Sequence, residues 1–202
     1  MKNRVPRLSG NVTKYEDGLT RCRWPKGDAL YVQYHDQEWG VPLEGDDAMF
    51  ERVALEGFQA GLSWITILRR RENFRKAFKN FEIAKVARMG EKDIEKLMGN
   101  EGIIRNRAKI ASTISNAKLT LKLDDSLSEI IWSHAPRIRT KRVSAEKFEF
   151  VATTPESGAL SKSLRKLGFS FVGPTTMYAL MQSIGMVNDH APGCFRREQL
   201  RD

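Results

Sequence analysis

Cysteine and histidine are scarce in this chain, with two of the former and three of the latter among 202 residues. No apolar run approaches the roughly 18 residues that a membrane-spanning helix needs, so no transmembrane helix is expected. The opening Met-Lys-Asn-Arg-Val-Pro-Arg is basic but is followed by no apolar stretch, and does not read as a secretory signal. The expected compartment is therefore reducing and cytoplasmic (nucleoid-associated if the source is bacterial), where two cysteines stay free or bind metal rather than pair. Period-2 alternation of useful length is absent, as are internal repeats and low-complexity segments, which argues against a sheet or a solenoid.

The few metal-ligating residues are placed in pairs. Twelve residues separate Cys22 from His35, and three separate His190 from Cys194. Two thiolates and two imidazoles fill the tetrahedron of a structural zinc and leave no open position. Such a site would clip the N-terminal region to the C-terminus. The plainer alternative is two buried apolar cysteines with surface histidines; a disulfide is the third. Pro192 and Gly193 favour a tight loop over a helix between the last two ligands. His134 lies outside this set and reads as a surface residue.

A net charge of +9 and a hydrophobic fraction of 41% describe a globular chain with a basic surface, which suits a polyanionic partner or simple solubility. The basic residues cluster at Arg69–Arg71, Arg105–Lys109, Arg137–Arg142 and Lys162–Lys166, with acids at 44–47, 91–95 and 124–129.

From residue 28 the apolar period is helical. Asp28 caps a helix carrying Leu30, Tyr31 and Tyr34. Asp46 or Asp47 opens a second with Met49, Phe50, Val53 and Ala54. Ser63 caps a third, and Phe74, Ala77 and Phe78 continue an amphipathic face. Short helices are expected near 82–88 and 91–98, a longer one over 107–121, and another from Ser126 to Trp132. Residues 135–155 read as irregular, and helices near 157–167 and 174–185 close the chain. Residues 1–20, polar and punctuated by glycine and proline, read as a flexible extension. The fold class is all-α.

Between the last two helices, Gly168-Phe-Ser-Phe-Val-Gly173-Pro174 ends one helix and starts the next. Free N–H groups at such a start form a phosphate-sized anion site, and the segment resembles a helix-hairpin-helix module; an ordinary αα-turn is the alternative. Gly102-Ile-Ile-Arg105 is a weaker turn of the same kind. Aromatics crowd the first third: Trp24, Tyr31, Tyr34, Trp39, Phe50, Phe58 and Trp64. Glu56 interrupts an apolar face among them, beside Gly57, with Gln59 near. Rings and a carboxylate suit a flat cationic guest, although aromatics at helical spacing also build ordinary cores.

Several longer motifs carry a family resemblance. Cys22-x-Trp24, Tyr31-x-x-Tyr34-His35-Asp36-x-Glu38-Trp39-Gly40-Val41-Pro42, Leu55-Glu56-Gly57-x-Gln59-Ala60-Gly61-Leu62-Ser63-Trp64, Gly102-Ile-Ile-Arg105-x-Arg107, Gly168-Phe-x-Phe171-Val-Gly173 and Val187-Asn-Asp-His190 resemble the type I 3-methyladenine DNA glycosylases over about residues 20–195. The resemblance implies a helix-hairpin-helix glycosylase domain over residues 21–202 that excises 3-methyladenine from double-stranded alkylated DNA, acting as a monomer. It implies a structural zinc on Cys22, His35, His190 and Cys194. It assigns Glu56 to the extruded base, Tyr34 and Trp64 to stacking on either side of it, and Tyr31 to the pocket, with Trp24, Trp39 and Gln59 nearby. Leu62 would wedge into the duplex, and Gly168, Gly173 and Arg105 would contact the DNA backbone. Relatives elsewhere in the superfamily carry a catalytic aspartate in a Val-Asp-x-His context and, when they also cleave the strand, a lysine past the hairpin glycine. Here Asn188 and Thr175 stand at those places, which implies a monofunctional enzyme.

Overall fold

The computed structural model describes residues 10–140 and 143–201. It begins with a hairpin, β1 (Val12–Lys14) pairing antiparallel with β2 (Thr20–Cys22), with Val12 opposite Cys22. The flexible extension expected over 1–20 is thus corrected for residues 10–20, while 1–9 lie outside the described residues. Strands of three residues are too short to display alternation in sequence. The hairpin is held by its ends: Val12 and Cys22 face the core, and Asn11 Nδ2 donates to the Phe148 carbonyl at 3.0 Å.

Helices then follow almost without interruption. They are α1 (Ala29–Gln37), α2 (Asp46–Gln59), α3 (Trp64–Leu68), α4 (Arg71–Ala77), a 3-10 turn (Lys79–Phe81), α5 (Ile83–Val86), α6 (Glu91–Met98), α7 (Arg107–Thr120), α8 (Leu127–Trp132), α9 (Pro155–Lys166), α10 (Pro174–Ser183) and α11 (Phe195–Gln199). The caps explain several starts. The Asp28 carboxylate accepts from the Tyr31 N–H at 3.0 Å, and Ser126 and Glu129 form a reciprocal box at the start of α8. The acids that open α2 act across the fold instead. Asp46 accepts from the Ser126 hydroxyl and the Ser128 N–H, and Asp47 accepts from the Ile83 N–H that begins α5. Helix α11 escaped the sequence reading because Phe195 is the one apolar residue in its five.

Helix α2 is the axis. From Arg52 to Phe58 every residue is buried, because α3, α7, α8 and α10 pack around it. A helix enclosed on all sides usually carries only apolar residues; α2 carries Arg52 and Glu56. On its far flank, Phe58 packs at a tilt on Phe74, with centroids 4.6 Å apart, and Phe74, Phe78 and Phe81 stack in succession.

The segment between α8 and α9 is irregular, as expected, but one member of its basic cluster is turned to the protein. Arg139 donates to the carbonyls of Gly40, Gly185 and Leu200 and so staples three distant segments; Lys141 and Arg142 lie outside the described residues. At the same junction Gly185 has φ +73°, and a Cβ there would lie 2.5 Å from the Val41 carbonyl carbon and 2.6 Å from Gly40 O and Pro42 N. All three are backbone atoms, which cannot swing aside. Gly185→Ala is expected to cost about 3 kcal/mol, lowering the melting temperature by roughly 6–12 °C in a calorimeter.

Candidate active site and metal centre

The first site closes the fold on itself. Cys22 ends β2, His35 sits in the last turn of α1, and His190 and Cys194 flank a tight loop closed by the Cys194 N–H to the Ala191 carbonyl. All four side chains are buried, and their donor atoms lie within 4.8 Å of one another. His35 Nε2 is 3.2 Å from His190 Nδ1 and 3.4 Å from Cys194 Sγ, while His190 Nδ1 is 3.6 Å from Cys194 Sγ and 3.8 Å from Cys22 Sγ. A tetrahedron with metal–sulfur bonds of ~2.3 Å and metal–nitrogen bonds of ~2.0–2.1 Å has edges of about 3.3–3.8 Å, close to these four separations, so the cluster could hold one metal ion.

The outer nitrogens are also arranged for ligation. His35 Nδ1 meets Asp36 Oδ1 at 2.7 Å, and His190 Nε2 meets the Trp39 carbonyl at 3.0 Å, so each ring donates outward and turns its other nitrogen to the centre. Arg21 in turn grips Asp36 through Nε and Nη2. Burial pushes the Cys22 thiol up and holds the His190 imidazole neutral, whereas Cys194 is held down by its hydrogen bonds to Cys22 and the two imidazoles. A cation at the centre is what stabilises two thiolates side by side.

The second site adjoins the first. A cavity of about 240 Å³ is lined by Trp24, Tyr31, Tyr34, Trp39, Glu56, Gln59 and Trp64, with Ala179, Gln182 and Ser183 from α10 and Phe150 and Val151 from the segment before α9. All seven pocket residues expected from the sequence line it together. The volume falls below the roughly 300–1,000 Å³ of pockets for drug-sized molecules, so its guest is small. Trp24 is packed against Tyr31 at 4.6 Å and Trp39 at 5.1 Å between centroids.

One expectation needs correction. The centroids of Tyr34 and Trp64 are 5.4 Å apart with planes 44° from parallel. A ring held between two others needs roughly 7 Å, twice the ~3.4 Å step of stacked bases. Tyr34 and Trp64 therefore share one wall rather than facing each other across a slot.

The polar groups of this cavity are incompletely satisfied. Glu56 is 3% exposed, and its Oε2 has no hydrogen-bond partner; the buried Trp64 Nε1 likewise has none. Burial pushes the Glu56 carboxyl up to about 8, with Arg52 and the Ser183 hydroxyl opposing the rise. Tyr31 is pushed up to about 12, by burial first and by Glu56 second. Arg52, beneath the Tyr34 ring at 5.7 Å, is committed to Glu38, which Arg71 also clasps. A buried acceptor and a buried donor, both unpaired beside a cavity edged with rings, constitute a site for a flat guest with complementary edges.

Residues 24–197 match the model of the methyladenine glycosylase family. The chain belongs to this family. It is 45% identical over 182 residues to DNA-3-methyladenine glycosylase 1 of Escherichia coli K12, covering 87% of this chain and 96% of that protein, and 44% identical over the same length to the DNA-3-methyladenine glycosylase of Haemophilus influenzae. A crystal structure of 3-methyladenine DNA glycosylase I superposes with a TM-score of 0.83 at 46% identity, over 87% of this chain and 98% of that one. The Staphylococcus aureus 3-methyladenine DNA glycosylase I, whose structure describes 3-methyladenine recognition, gives 0.82 at 32% identity, over 88% and 96%. The family match begins at residue 24, so the whole β1–β2 hairpin precedes it.

Family membership directs attention to the surface around the cavity mouth. Leu62, 42% exposed, follows Gly61 at φ +84° in the link between α2 and α3. That link is fixed from below by Lys109, whose Nζ donates to the Phe58 and Ala60 carbonyls at 2.9 and 2.7 Å. Lys109 is thus a helix C-cap and not part of a basic face, and Arg107 is engaged by Glu91 and Glu95. Arg105 stays half-exposed beside the Gly102 turn, 3.6 Å from Glu101.

The hairpin between α9 and α10 is anchored by Asn116. Its amide both donates to the Ser170 carbonyl and accepts from the Ser170 N–H. Gly57 lets the hairpin approach α2, since a Cβ there would lie 3.3 Å from Phe171 Cβ. Gly168 takes φ +92°, while Gly173 is an N-cap with φ −64° and no side-chain cap, leaving the first N–H groups of α10 to solvent. Asn188 is 1% exposed and wholly structural: its Nδ2 donates to the Arg197 carbonyl and its Oδ1 accepts from the His190 N–H.

Gln182, Ser183, Ala179, Phe150 and Val151 were missed. The first three lie at i, i+3 and i+4 on α10, a spacing visible in the sequence but without meaning until α10 is known to cross α2.

Two outcomes are expected. The purified chain carries one equivalent of metal by plasma emission, and Cys194→Ser loses it together with about 3 kcal/mol of stability or more, a drop of roughly 6–12 °C in melting temperature. The second concerns Glu56, whose folded-state value of about 8 lies above the ordinary 4.5. Between those values the folded chain binds the extra proton, so this group makes stability fall as pH rises through that window and level off above it. Glu56→Gln removes that contribution, and the difference between the two denaturation series, taken from pH 5 to 9, isolates it.

Proposed function

We propose that this chain excises 3-methyladenine from double-stranded alkylated DNA by hydrolysing the N-glycosidic bond of an extruded base, without cutting the strand. The observation that carries this reading is the buried Glu56 carboxylate, with Oε2 unpaired, beside a base-sized cavity edged by Tyr31, Tyr34, Trp24, Trp39 and Trp64. The names of the relatives, and the bound 3-methyladenine in a crystal structure of a 3-methyladenine DNA glycosylase I that is 32% identical, support the choice of base. Residues 21–202 act as one glycosylase domain. The four-ligand centre holds a structural zinc, because a complete Cys2His2 set leaves no open position for chemistry.

Methylation at N3 makes the base cationic while it is still attached. The glycosidic bond breaks heterolytically, its electron pair leaves with the base, and the base departs neutral. Water then adds to the sugar carbon and loses a proton to solvent. The enzyme supplies extrusion, a shaped site and desolvation. Leu62 fills the gap in the duplex, the Gly168–Gly173 hairpin and Arg105 hold the backbone, and Tyr34 and Trp64 form the wall on which the base stacks. Glu56 accepts a hydrogen bond from the amino edge and stabilises the cation. Since burial favours its neutral form, the arriving positive charge is what holds Glu56 ionised. Thr175 at the start of α10 provides no amine for a Schiff base, so the product is an intact abasic strand.

Glu56→Gln is expected to lower single-turnover release of 3-methyladenine from methylated DNA by roughly 30- to 150-fold, about 2–3 kcal/mol, with circular dichroism and metal content unchanged. Chromatography identifies the released base, and strand breaks are expected only after alkali. Full activity in the variant removes Glu56 from its role; release of a different base removes the substrate assignment.

A further inference from the structure

Resting on that reading, we propose that Gln182 is a second acceptor for the amino group of the base, and that Asp189 and Tyr178 fix it in this orientation. Gln182 lines the same cavity as Glu56. Its Nε2 donates to Asp189 Oδ2 at 2.9 Å, and the Tyr178 hydroxyl donates to the same oxygen at 2.5 Å. An amide can be turned end for end, but a carboxylate only accepts. The NH2 end of Gln182 must therefore face Asp189. Its Oε1, which has no hydrogen-bond partner among the described residues, is the end left for the cavity. The backbone is fixed as well, because the Gly40 N–H donates to the Gln182 carbonyl at 3.1 Å. Tyr178 lies one helical turn before Gln182 and is 2% exposed, so it can hold the carboxylate only from the protein side.

The count of donors then matches the guest. An adenine methylated at N3 and still joined to its sugar carries N–H hydrogens only on its six-amino group, and there are two of them. Glu56 and Gln182 Oε1 offer one acceptor each. A base with oxygen at position six would place a lone pair against Gln182 Oε1, which Asp189 keeps from turning its NH2 end inward, and leave both oxygens unpaired in a dry cavity, which is how a polar site rejects an isostere. Gln182 is thus a specificity-determining residue, and Asp189 and Tyr178 are positioning residues. Asp189 also follows Asn188, whose own amide is fully occupied by backbone partners; the carboxylate in this stretch serves to orient a neighbour.

The test uses the full, metal-loaded chain and two free bases, 3-methyladenine and 3-methylhypoxanthine, in which oxygen replaces the amino group. Binding is followed by quenching of the pocket tryptophans. Gln182→Leu is expected to weaken 3-methyladenine roughly tenfold while leaving 3-methylhypoxanthine unchanged or tighter, so that the ratio of affinities narrows about tenfold. Asp189→Asn and Tyr178→Phe free the amide to turn and narrow the same ratio by a smaller factor, with metal content measured alongside because Asp189 precedes a ligand. A Gln182→Leu protein that keeps the wild-type ratio, or loses both bases equally, overturns the acceptor role. An Asp189→Asn protein with the wild-type ratio overturns the positioning role. Wild-type protein that binds neither base and releases none from methylated DNA overturns the glycosylase reading itself, whereas wild-type binding with an unmoved variant ratio overturns only this inference.

Discussion

The convergence of Cys22, His35, His190 and Cys194 is the constraint on which the rest depends. It joins segments more than 150 residues apart in sequence, as in the 155-residue separation of the two imidazoles, and closing so long a loop removes much of the freedom of the unfolded chain. It also builds the walls of the cavity. Trp24 lies edge-on to His35 at 5.3 Å, and Trp39 lies edge-on to His190 at 4.6 Å while its carbonyl receives the outer nitrogen of that ring. The aromatic rim is therefore positioned by the same atoms that clip the termini. Loss of the cluster would be felt in the pocket as well as in stability.

Against this rigid frame the chain keeps a local deficit. Three of the buried polar atoms without partners, Arg52 Nη1, Glu56 Oε2 and Trp64 Nε1, gather around Tyr34 and the cavity. Each costs of order 1–3 kcal/mol, and at Glu56 and Trp64, which line the cavity, a guest with matching edges would recover it. The deficit gathers where α2 and α3 meet the cavity, while the other flank of α2 packs into a row of phenylalanines. Stability and recognition are thus drawn from opposite sides of one helix.

Much of the site was legible in the sequence. Paired Cys/His spacing picked out the four residues that cluster, and the run from Leu55 to Trp64, with Glu56 in an apolar stretch, picked out residues that line the cavity. Helix positions were legible wherever a cap or a clear apolar period existed, as at Asp28 and Ser126. What remained hidden depends on contacts between distant segments. Clustered arginine and lysine suggested DNA-facing patches, yet Arg139 and Lys109 are spent on carbonyls within the protein and Arg107 on surface carboxylates, something charge counting cannot distinguish. The contribution of α10 required knowing which helix it crosses. The relation of Tyr34 to Trp64 required their planes and separation, which spacing does not contain. The β1–β2 hairpin is tied down by the buried Cys22 at one end and Asn11 at the other, and neither is a strand signal.

The central claim is that Glu56 meets the amino edge of a small base stacked on the Tyr34–Trp64 wall. A crystal of the protein grown with 3-methyladenine tests it most directly. The account predicts density for a planar bicyclic ring in the cavity, its amino nitrogen within about 3 Å of the Glu56 carboxylate and its face against that wall. A ring bound elsewhere, or one whose amino group points away from Glu56, would contradict it.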